Sequence, residues 1–338
     1  MEILFGYLLF LAKVATVVIA VIVVFGALSA IRRRGRHSPG QLRVKKLNEF
    51  FSDLQQRLEL SMLNKKQAKQ LIKKKAKSLK LEKQGESDRP RVFVLDFDGD
   101  IRASATDNLR NEITALLNVA SQDDEVLLRL QSGGGLVSSY GLAASQLVRI
   151  RDAGIPLTVC IDKVAASGGY MMACIANKIM SSPFAMVGSI GVVAQLPNLN
   201  RLLNRYDIDF EVLTAGEFKR TLTVFGKNTE EGRAKFQQDL EVTHELFKNF
   251  VSTYRPSLDI NAIATGEVWL GVNAQKNQLV DEIKTSDEYL TSRAKHADLY
   301  HLQYVNRKTF QERVGLTASS ILDRVLLNWI SRLVEHRY

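Results

Sequence analysis

The stretch IPLTVCIDKVAASGGYMMACIA, residues 155–176, contains the local pattern on which the fold prediction rests. Residues 155–161 form a short apolar run with β-branched side chains, which is typical of a buried strand. Small residues around Ser167 then lead into an apolar segment that predicts a buried helix. A strand that passes through a tight turn into a helix is one step of a repeating α/β architecture.

The same alternation continues towards the N-terminus. Strands are predicted at residues 91–97 and 126–130, and helices at residues 108–120 and 138–151. Elements of these lengths predict a mostly parallel sheet covered by helices on both faces. In such folds, functional residues collect in the loops that follow the carboxyl ends of the strands.

Two more elements are predicted further along the chain. Residues 210–213 have the apolar character of a short strand, and residues 229–254 form a long amphipathic pattern. Thr229 precedes two glutamates and suits the N-cap of that helix. Trp269, in the stretch TGEVWLG, is expected to pack in the core behind the site.

The charge is distributed unevenly along the 338 residues, whose net charge is +10. Residues 32–83 contain 17 Lys and Arg against four acidic residues, whereas the 255 residues that follow contain 28 basic and 31 acidic ones. A nucleic-acid enzyme would place its basic charge on the folded body. The pattern therefore argues against nucleic acid as a partner and favours a basic segment near a membrane.

The cysteines and histidines argue against two classes of small module. The chain has two Cys and five His, and Cys160 and Cys174 both lie in apolar stretches. Such a set leaves little material for a disulfide framework or a zinc module, and the sequence contains no C-x-x-C pair. Both cysteines are expected to be small core residues.

The N-terminus predicts a transmembrane anchor at residues 1–31. Residues 14–31 are uncharged, and Lys13 alone interrupts an apolar stretch that starts at Ile3. About 20 apolar residues span a bilayer core as a helix. A cleaved signal peptide is the alternative, but the basic cluster beginning at Arg32 favours a retained anchor. The same arginines favour a cytoplasmic position for the rest of the chain.

Residues 32–89 are predicted to form a basic helical stalk and a linker. From Gln41 to Lys83 the sequence lacks Gly and Pro and places apolar residues at helical spacing. The run KKKAK, residues 73–77, suits either a solvated helix face or attraction to anionic lipid headgroups. Residues 85–90 interrupt the pattern and suit a linker.

Two glycine-containing turns follow predicted strands and hold the candidate chemistry. In the first, Gly133, Gly134 and Gly135 follow Ser132, so backbone N–H groups can converge without obstruction by side chains. This turn could serve as an oxyanion hole or only as a tight turn. In the second, Ser167 lies at the start of a helix, where it could be a nucleophile or an N-cap.

A nucleophilic serine needs a base. None of the five histidines lies in a motif-like setting, but Lys219 follows a glycine turn and stands beside Phe218. A lysine amine can accept the proton when a poorly solvated site favours its neutral form. Ser189 lies between the two segments in a small-residue stretch and could hold that amine in place.

Four stretches together resemble a known family. They are SGGG at residues 132–135, KVAASGGYMMACIANKI at 163–179, MVGSIGVV at 186–193 and AGEFKRTLT at 215–223. In order and spacing, including the 52-residue step from Ser167 to Lys219, they resemble the signal peptide peptidase A family of serine peptidases, and especially its SohB-type membrane members. The resemblance covers residues 90–283 and implies an α/β fold of the ClpP/crotonase type, built from repeated β-β-α and β-α units.

The resemblance also implies roles for individual residues. Ser167 is the implied nucleophile and Lys219 the general base, with Ser189 orienting the lysine. The backbone N–H groups of Gly135 and Gly168 form the implied oxyanion hole, with Gly134 as the neighbouring option. No cofactor and no metal are implied.

Two departures from the family pattern are visible. Gly133 stands where proline is common, which makes the turn more flexible without removing a donor. Gln278 stands where glycine is usual before Leu279, and Asn277 is expected to adopt the left-handed turn conformation there.

The predicted domains are the anchor at residues 1–31, the stalk and linker at 32–89, a serine peptidase domain at 90–290, and a C-terminal extension at 291–338 with an amphipathic helix at 318–335. By resemblance, the expected protein is a single-pass endopeptidase of the bacterial inner membrane that assembles as a homo-oligomer and cleaves peptides, signal-peptide remnants or misfolded proteins. The alternatives are a crotonase-type acyl-CoA enzyme and a non-enzymatic membrane scaffold.

Overall fold

The computed structural model describes residues 40–82 and 89–306. The predicted anchor at residues 1–31 and the predicted helix at 318–335 lie outside these ranges. Within them, none of the helices combines the length and the apolar character that crossing a bilayer requires. Most described residues belong to one compact unit, Leu42–Tyr304.

Ten strands lie within the described residues. They are β1 (Gln41–Lys46), β2 (Arg91–Gly99), β3 (Glu125–Ser132), β4 (Leu157–Ile161), β5 (Val164–Ala166), β6 (Lys178–Ser181), β7 (Met186–Gly188), β8 (Val268–Leu270), β9 (Glu282–Ile283) and β10 (Asp298–Val305).

Ten helices accompany them in the described part of the chain. They are α1 (Leu47–Met62), α2 (Lys65–Glu82), α3 (Thr106–Leu117), α4 (Val137–Asp152), α5 (Gly168–Ala173), α6 (Asn200–Arg205), α7 (Glu230–Tyr254), α8 (Ile260–Ile263), α9 (Gly271–Lys276) and α10 (Ser286–Arg293).

The strands form a mixed sheet that is mostly parallel, as predicted. Its main path is β1-β10-β2-β3-β4-β6-β9, and the strand pairs from β10 to β9 are parallel. A short branch leaves this path: β5 pairs with β3 and β7, and β8 pairs antiparallel with β7. Strand β3 belongs to both parts, since residues 126–129 pair with β4 and Ser132 pairs with Ala165 of β5. The loops after β3 and β5 therefore begin side by side.

Alternation along the strands divides the core between the two faces of the sheet. In β2, Phe93, Leu95 and Phe97 pack into the larger cluster, with α3, α4 and α5, while Val92 and Val94 pack into the smaller one, with α1 and α10. Side chains of a strand point alternately to opposite faces, so two buried faces produce the nearly continuous apolar run of the sequence.

Most of the predicted helices and strands of the body are confirmed. The observed β2, α3, β3, α4 and β4 match the predicted elements to within a few residues. Helix α7 begins after Thr229, whose side chain accepts a hydrogen bond from the N–H of Gly232. The predicted strand at residues 210–213 is wrong, because residues 206–228 contain neither helix nor strand. Its apolar residues are exposed and have no neighbouring strand in the described chain.

The predicted left-handed residue is also wrong by one position. Asn277 has φ −84°, whereas Gln278 has φ +61°. The left-handed conformation thus falls on the residue that replaces the usual glycine, which shows that the backbone of this turn is set by its surroundings rather than by the local preference for asparagine.

The predicted helical stalk is observed as two helices, α1 and α2, but it is preceded by a strand that the sequence did not predict. The segment begins as strand β1 beside β10, and the helix that follows is interrupted at Leu63 and Asn64. Asn64 and Gln67 exchange hydrogen bonds between side chain and backbone, a reciprocal cap that begins α2. The Asn48 side chain bonds to the carbonyl groups of Ala294 and Ala297, so α1 is attached to the sheet-bearing body.

Glu112 on α3 is a buried carboxyl that we expect to make stability depend on pH. It is 4% exposed, and its Oε1 accepts a hydrogen bond from the N–H of Tyr304 at 2.6 Å. Burial raises the pKa of Glu112 from 4.5 to about 7. The folded protein therefore holds this proton more tightly than the unfolded chain, and the free energy of unfolding falls as the pH rises from about 4.5 to about 7.

We predict that Glu112→Gln raises the free energy of unfolding at pH 8 by on the order of 2–3 kcal/mol relative to the wild type, and has little effect below pH 4.5. Urea denaturation at a series of pH values measures the difference. Asp123→Asn, at an exposed carboxylate, is the matched control. Equal effects of Glu112→Gln at pH 4 and pH 8 would contradict the prediction.

Candidate active site

The structure brings the two predicted glycine turns into direct contact. A Cβ atom added at Gly134 would lie 2.7 Å from the Cβ of Ser167 and 2.8 Å from the backbone nitrogen of Gly168. Gly134 also has φ +88°, a conformation that other residues rarely adopt. The turn after β3 can therefore approach the turn after β5 only because it carries glycine at this position.

Ser167 has a strained backbone and a hydroxyl that does not cap the helix that follows it. Its φ is 51° and its ψ is −119°, and it makes no side-chain capping bond to α5. Ser167 therefore occupies the N-cap position of α5, but its side chain does not cap the helix. Its N–H donates to the carbonyl of Gly188 at 2.8 Å, which attaches the turn to the end of β7. Conformations of this kind cost on the order of 1–3 kcal/mol and gather at functional sites.

Close packing around Gly168 and Gly169 fixes this conformation. A Cβ at Gly168 would lie 2.4 Å from Cγ of the Tyr140 ring, and one at Gly169 would lie 2.5 Å from the carbonyl oxygen of Ser132. Every residue of α5 is buried. The Ser167 turn is consequently held between α4 and the end of β3.

The backbone N–H groups near Ser167 differ in what they bind. The N–H of Gly134 donates to Ser132 Oγ at 3.0 Å. Among the described residues, no acceptor bonds the N–H of Gly135, and Gly168 is the first residue of α5, where an N–H has no partner within the helix. Gly135 and Gly168 therefore each present a free amide beside the serine, whereas Gly134 does not.

An apolar cavity of about 440 Å³ opens next to these groups. Gly135, Ser167 and Gly168 line one part of it. The remaining wall is mostly apolar and comes from α4, α5, α7 and the segment after Ser189: Val137, Met171, Val192, Val193, Leu246, Phe247 and Phe250. A hydroxyl, two amides and an apolar pocket therefore share one site.

Ser189 lies in a second strained turn next to the first. Its φ is 51°, it follows Gly188 with φ +110°, and its N–H donates to the carbonyl of Glu267 at 2.6 Å. Trp269 packs against Gly188, where an added Cβ would lie 2.7 Å from Cε3 of the indole. The tryptophan thus supports the turn from behind, while Nε2 of His244 bonds to the carbonyl of Ile190 at 3.2 Å.

Lys219 makes no hydrogen bond to Ser167 or Ser189 in the described part of the chain. It is exposed in the irregular segment 206–228, and its backbone N–H donates to the carbonyl of Gly216 at 3.2 Å. Its Nζ makes no hydrogen bond or ion pair with any described residue, and Lys219 does not line the cavity. The structure brings together Ser167, Gly135 and Gly168, and leaves the predicted base on an exposed segment.

Sequence reasoning missed two contributors to the site. The apolar stripe of α7 was visible in the sequence, but nothing local showed that Leu246 and Phe247 would form a cavity wall beside Ser167. Tyr140 lies in a predicted helix and has no local sequence signal of a functional role. It is fully buried, bonds to Ser132 before the first turn and packs against Gly168 in the second. Only the packing of α4 against α5 identifies it.

Two family models match this chain. The model described as "Peptidase family S49 N-terminal" matches residues 2–147, and the model described as "Peptidase family S49" matches residues 149–300. The chain belongs to peptidase family S49. The family resemblance that the four sequence motifs predicted is therefore confirmed.

Two curated relatives match this chain over most of its length. A protein named "Probable protease SohB" from Haemophilus influenzae is 49% identical over 334 residues, which cover 94% of this chain and 93% of that one. A protein of the same name from Buchnera aphidicola subsp. Acyrthosiphon pisum is 45% identical over 327 residues, covering 97% of each chain. A solved structure of a membrane-bound stomatin-specific protease with a substrate peptide is 14% identical, with a TM-score of 0.41, and covers 70% of this chain and 99% of that one.

The strain at Ser167 leads to a stability prediction for this S49 chain. Glycine adopts a positive φ without the clash that Cβ introduces, so Ser167→Gly relieves strain that Ser167→Ala retains. We expect Ser167→Gly to be more stable than Ser167→Ala by on the order of 1 kcal/mol, measured from urea unfolding. An Ala variant as stable as the Gly variant, or more so, would contradict the strain argument.

Proposed function

We propose that this S49 chain is a membrane-anchored serine endopeptidase that hydrolyses peptide bonds with a Ser167–Lys219 dyad. The observation that carries the proposal is the setting of Ser167. Its backbone is strained, its side chain makes no capping bond, and it lines an apolar cavity together with the free amides of Gly135 and Gly168. Membership of a peptidase family and the protease names of its relatives support the same conclusion.

The proposed reaction follows from the arrangement of groups. Ser167 Oγ attacks the carbonyl carbon of the scissile bond, and the neutral amine of Lys219 takes the hydroxyl proton. The N–H groups of Gly135 and Gly168 bind the oxyanion, and the ammonium then protonates the leaving amine. Water hydrolyses the acyl-enzyme ester with the lysine again acting as base. We assign Ser189 the role of orienting the amine.

We propose a homo-oligomer in which assembly orders the lysine against a serine. The segment that carries Lys219 exposes large apolar side chains to a degree that soluble monomers rarely show. They include Tyr206 at 70% exposure, Ile208 at 50% and Leu213 at 90%. Covering them with a second copy removes apolar surface from water and gives the irregular segment a defined position.

The fold type and the membrane location of the protein belong to the same proposal. Strand β5 follows β4 in the sequence, and β7 follows β6. In both cases the first strand lies on the main path of the sheet and the second lies in the branch. This repeated β-β unit supports a fold of the ClpP/crotonase type. The apolar N-terminal sequence supports a single-pass anchor in the bacterial inner membrane, with the body on the cytoplasmic side by the charge rule.

We expect Ser167→Ala and Lys219→Ala each to reduce peptidase activity at least about 1,000-fold, because the remaining groups cannot generate the nucleophile. Unfolding curves should match the wild type. Arg220→Ala, the neighbouring exposed cation, is the matched control and should retain activity. A purified Lys219→Ala protein with full activity would remove the dyad.

Mixing the two inactive variants shows which copy supplies the lysine. Recovered activity places the dyad between chains, whereas an oligomer of wild-type size that stays inactive places it within one chain. An acyl-enzyme adduct at Ser167 would exclude the acyl-CoA enzyme, and turnover of peptide would exclude the inert scaffold.

The cavity predicts a preference for a large apolar side chain next to the cleaved bond. Val137, Gly141 and Ser145 are spaced four residues apart on α4 and all line the cavity, and a Cβ at Gly141 would meet no atom within 4 Å. We expect Gly141→Leu to fill the pocket and to lower kcat/KM for a peptide with leucine at that position about 10-fold or more relative to one with alanine. Equal losses for both peptides would contradict the assignment of this pocket.

A further inference from the structure

A buried chain of hydrogen bonds lies beneath the Gly133–Gly135 turn. Ser132 is 1% exposed and Tyr140 is fully buried. The N–H of Gly134 donates to Ser132 Oγ at 3.0 Å, Ser132 Oγ is hydrogen-bonded to Tyr140 Oη, and Tyr140 Oη donates to the carbonyl of Asp100 at 2.7 Å. The chain therefore begins and ends on main-chain groups and passes through two hydroxyls.

Either hydroxyl can be the donor of the Ser132–Tyr140 bond, and the bond from Tyr140 to the carbonyl of Asp100 sets the direction described here. Each hydroxyl has a single proton to donate. Tyr140 donates its proton to the carbonyl of Asp100, so the tyrosine oxygen is free to accept from Ser132 Oγ. Ser132 in turn accepts from the N–H of Gly134. The carbonyl of Gly99, at 3.3 Å from Ser132 Oγ, is a longer alternative acceptor for the serine proton.

This chain restrains the amide of Gly135 from one side. The following residue restrains it from the other, because the N–H of Leu136 donates to the carbonyl of Ile101 at 2.8 Å. The amides before and after Gly135 are thus both committed to the protein, and the amide of Gly135 alone remains free. A run of three glycines has no side chains to hold it, so these two bonds supply the rigidity that the sequence lacks.

Tyr140 also packs against Gly168, the residue that carries the second free amide. Its ring lies directly against Gly168, with 2.4 Å between Cγ and an added Cβ. The hydroxyl of this residue acts through Ser132 on the Gly133–Gly135 turn, and the ring acts on the start of α5. One buried side chain therefore links the two backbone segments whose N–H groups must converge on the same oxygen.

We propose that Tyr140 and Ser132 are positioning residues that set the spacing and direction of the Gly135 and Gly168 amides. This inference rests on the proposed peptidase function. Neither residue contacts the reacting atoms; both act on the donors that stabilise the developing oxyanion. Preorganised donors of this kind act mainly in the transition state, so the effect belongs to kcat rather than to substrate affinity.

The test uses the full-length protein in detergent and removes one oxygen at a time. We expect Tyr140→Phe and Ser132→Ala each to lower kcat about 10- to 100-fold while KM changes less than about 3-fold, and the double variant to lose little more than either single one. Tyr300→Phe makes the same chemical change on β10 and is the matched control, with unchanged kcat expected.

A peptide aldehyde separates positioning from a merely structural role. It forms a tetrahedral adduct with an active serine and needs the oxyanion donors, whereas an uncut peptide bound to a Ser167→Ala background does not. We expect Tyr140→Phe and Ser132→Ala to weaken aldehyde inhibition by the same factor as kcat/KM, and to leave uncut-peptide binding unchanged.

The outcomes separate this inference from the proposed function. If the wild type neither cleaves peptide nor forms the adduct, the peptidase proposal fails. If the wild type is active and both variants retain its kcat, or differ from it only by a higher KM, the positioning role fails and the peptidase proposal stands. If Tyr140→Phe does not fold, Ser132→Ala by itself tests the positioning role.

Discussion

The close approach of two backbone turns is the constraint on which the site depends. Gly134 lies against the Cβ of Ser167, and both residues have a positive φ. Without this approach, the free amide of Gly135 could not lie beside the hydroxyl that it serves in the proposed reaction. The approach tolerates no Cβ at Gly134 and forces an unfavourable conformation on Ser167. The stability of the rest of the fold must therefore offset a local cost, as is common where strain serves function.

The sheet supplies that support. Strand β3 pairs with β4 near its beginning and with β5 at its end, so the loops after β3 and β5 start from adjacent, hydrogen-bonded positions. Packing then locks both turns from several sides: the Tyr140 ring against Gly168, Trp269 against Gly188, and the carbonyl of Gly188 accepting from the N–H of Ser167. Tyr140 is fully buried and Trp269 is partly buried against the core, so these contacts leave the two turns little freedom to move.

The two halves of the proposed machinery differ in rigidity. The nucleophile, the amides and the cavity are parts of the packed core, whereas Lys219 lies on an irregular segment with exposed apolar side chains. If assembly orders that segment, catalytic competence depends on oligomerisation, and an unassembled chain carries an accessible serine without its base. Such an arrangement would restrict peptide hydrolysis to the assembled protein.

By itself, the sequence determined the alternation of strands and helices, the mostly parallel sheet, and the identity of Ser167 and its neighbouring glycines as candidates. These depend on periodicity and on short motifs, which are local. The tertiary structure alone decided that Ser167 is strained and does not cap its helix with its side chain, that the amide of Gly134 is already bonded, and that Tyr140 links the two turns. It also decided that residues 41–46 join the sheet and that residues 210–213 do not. The physical reason is the same throughout: each outcome depends on which distant groups meet, and neither hydrophobic spacing nor residue preference records contacts between segments tens of residues apart.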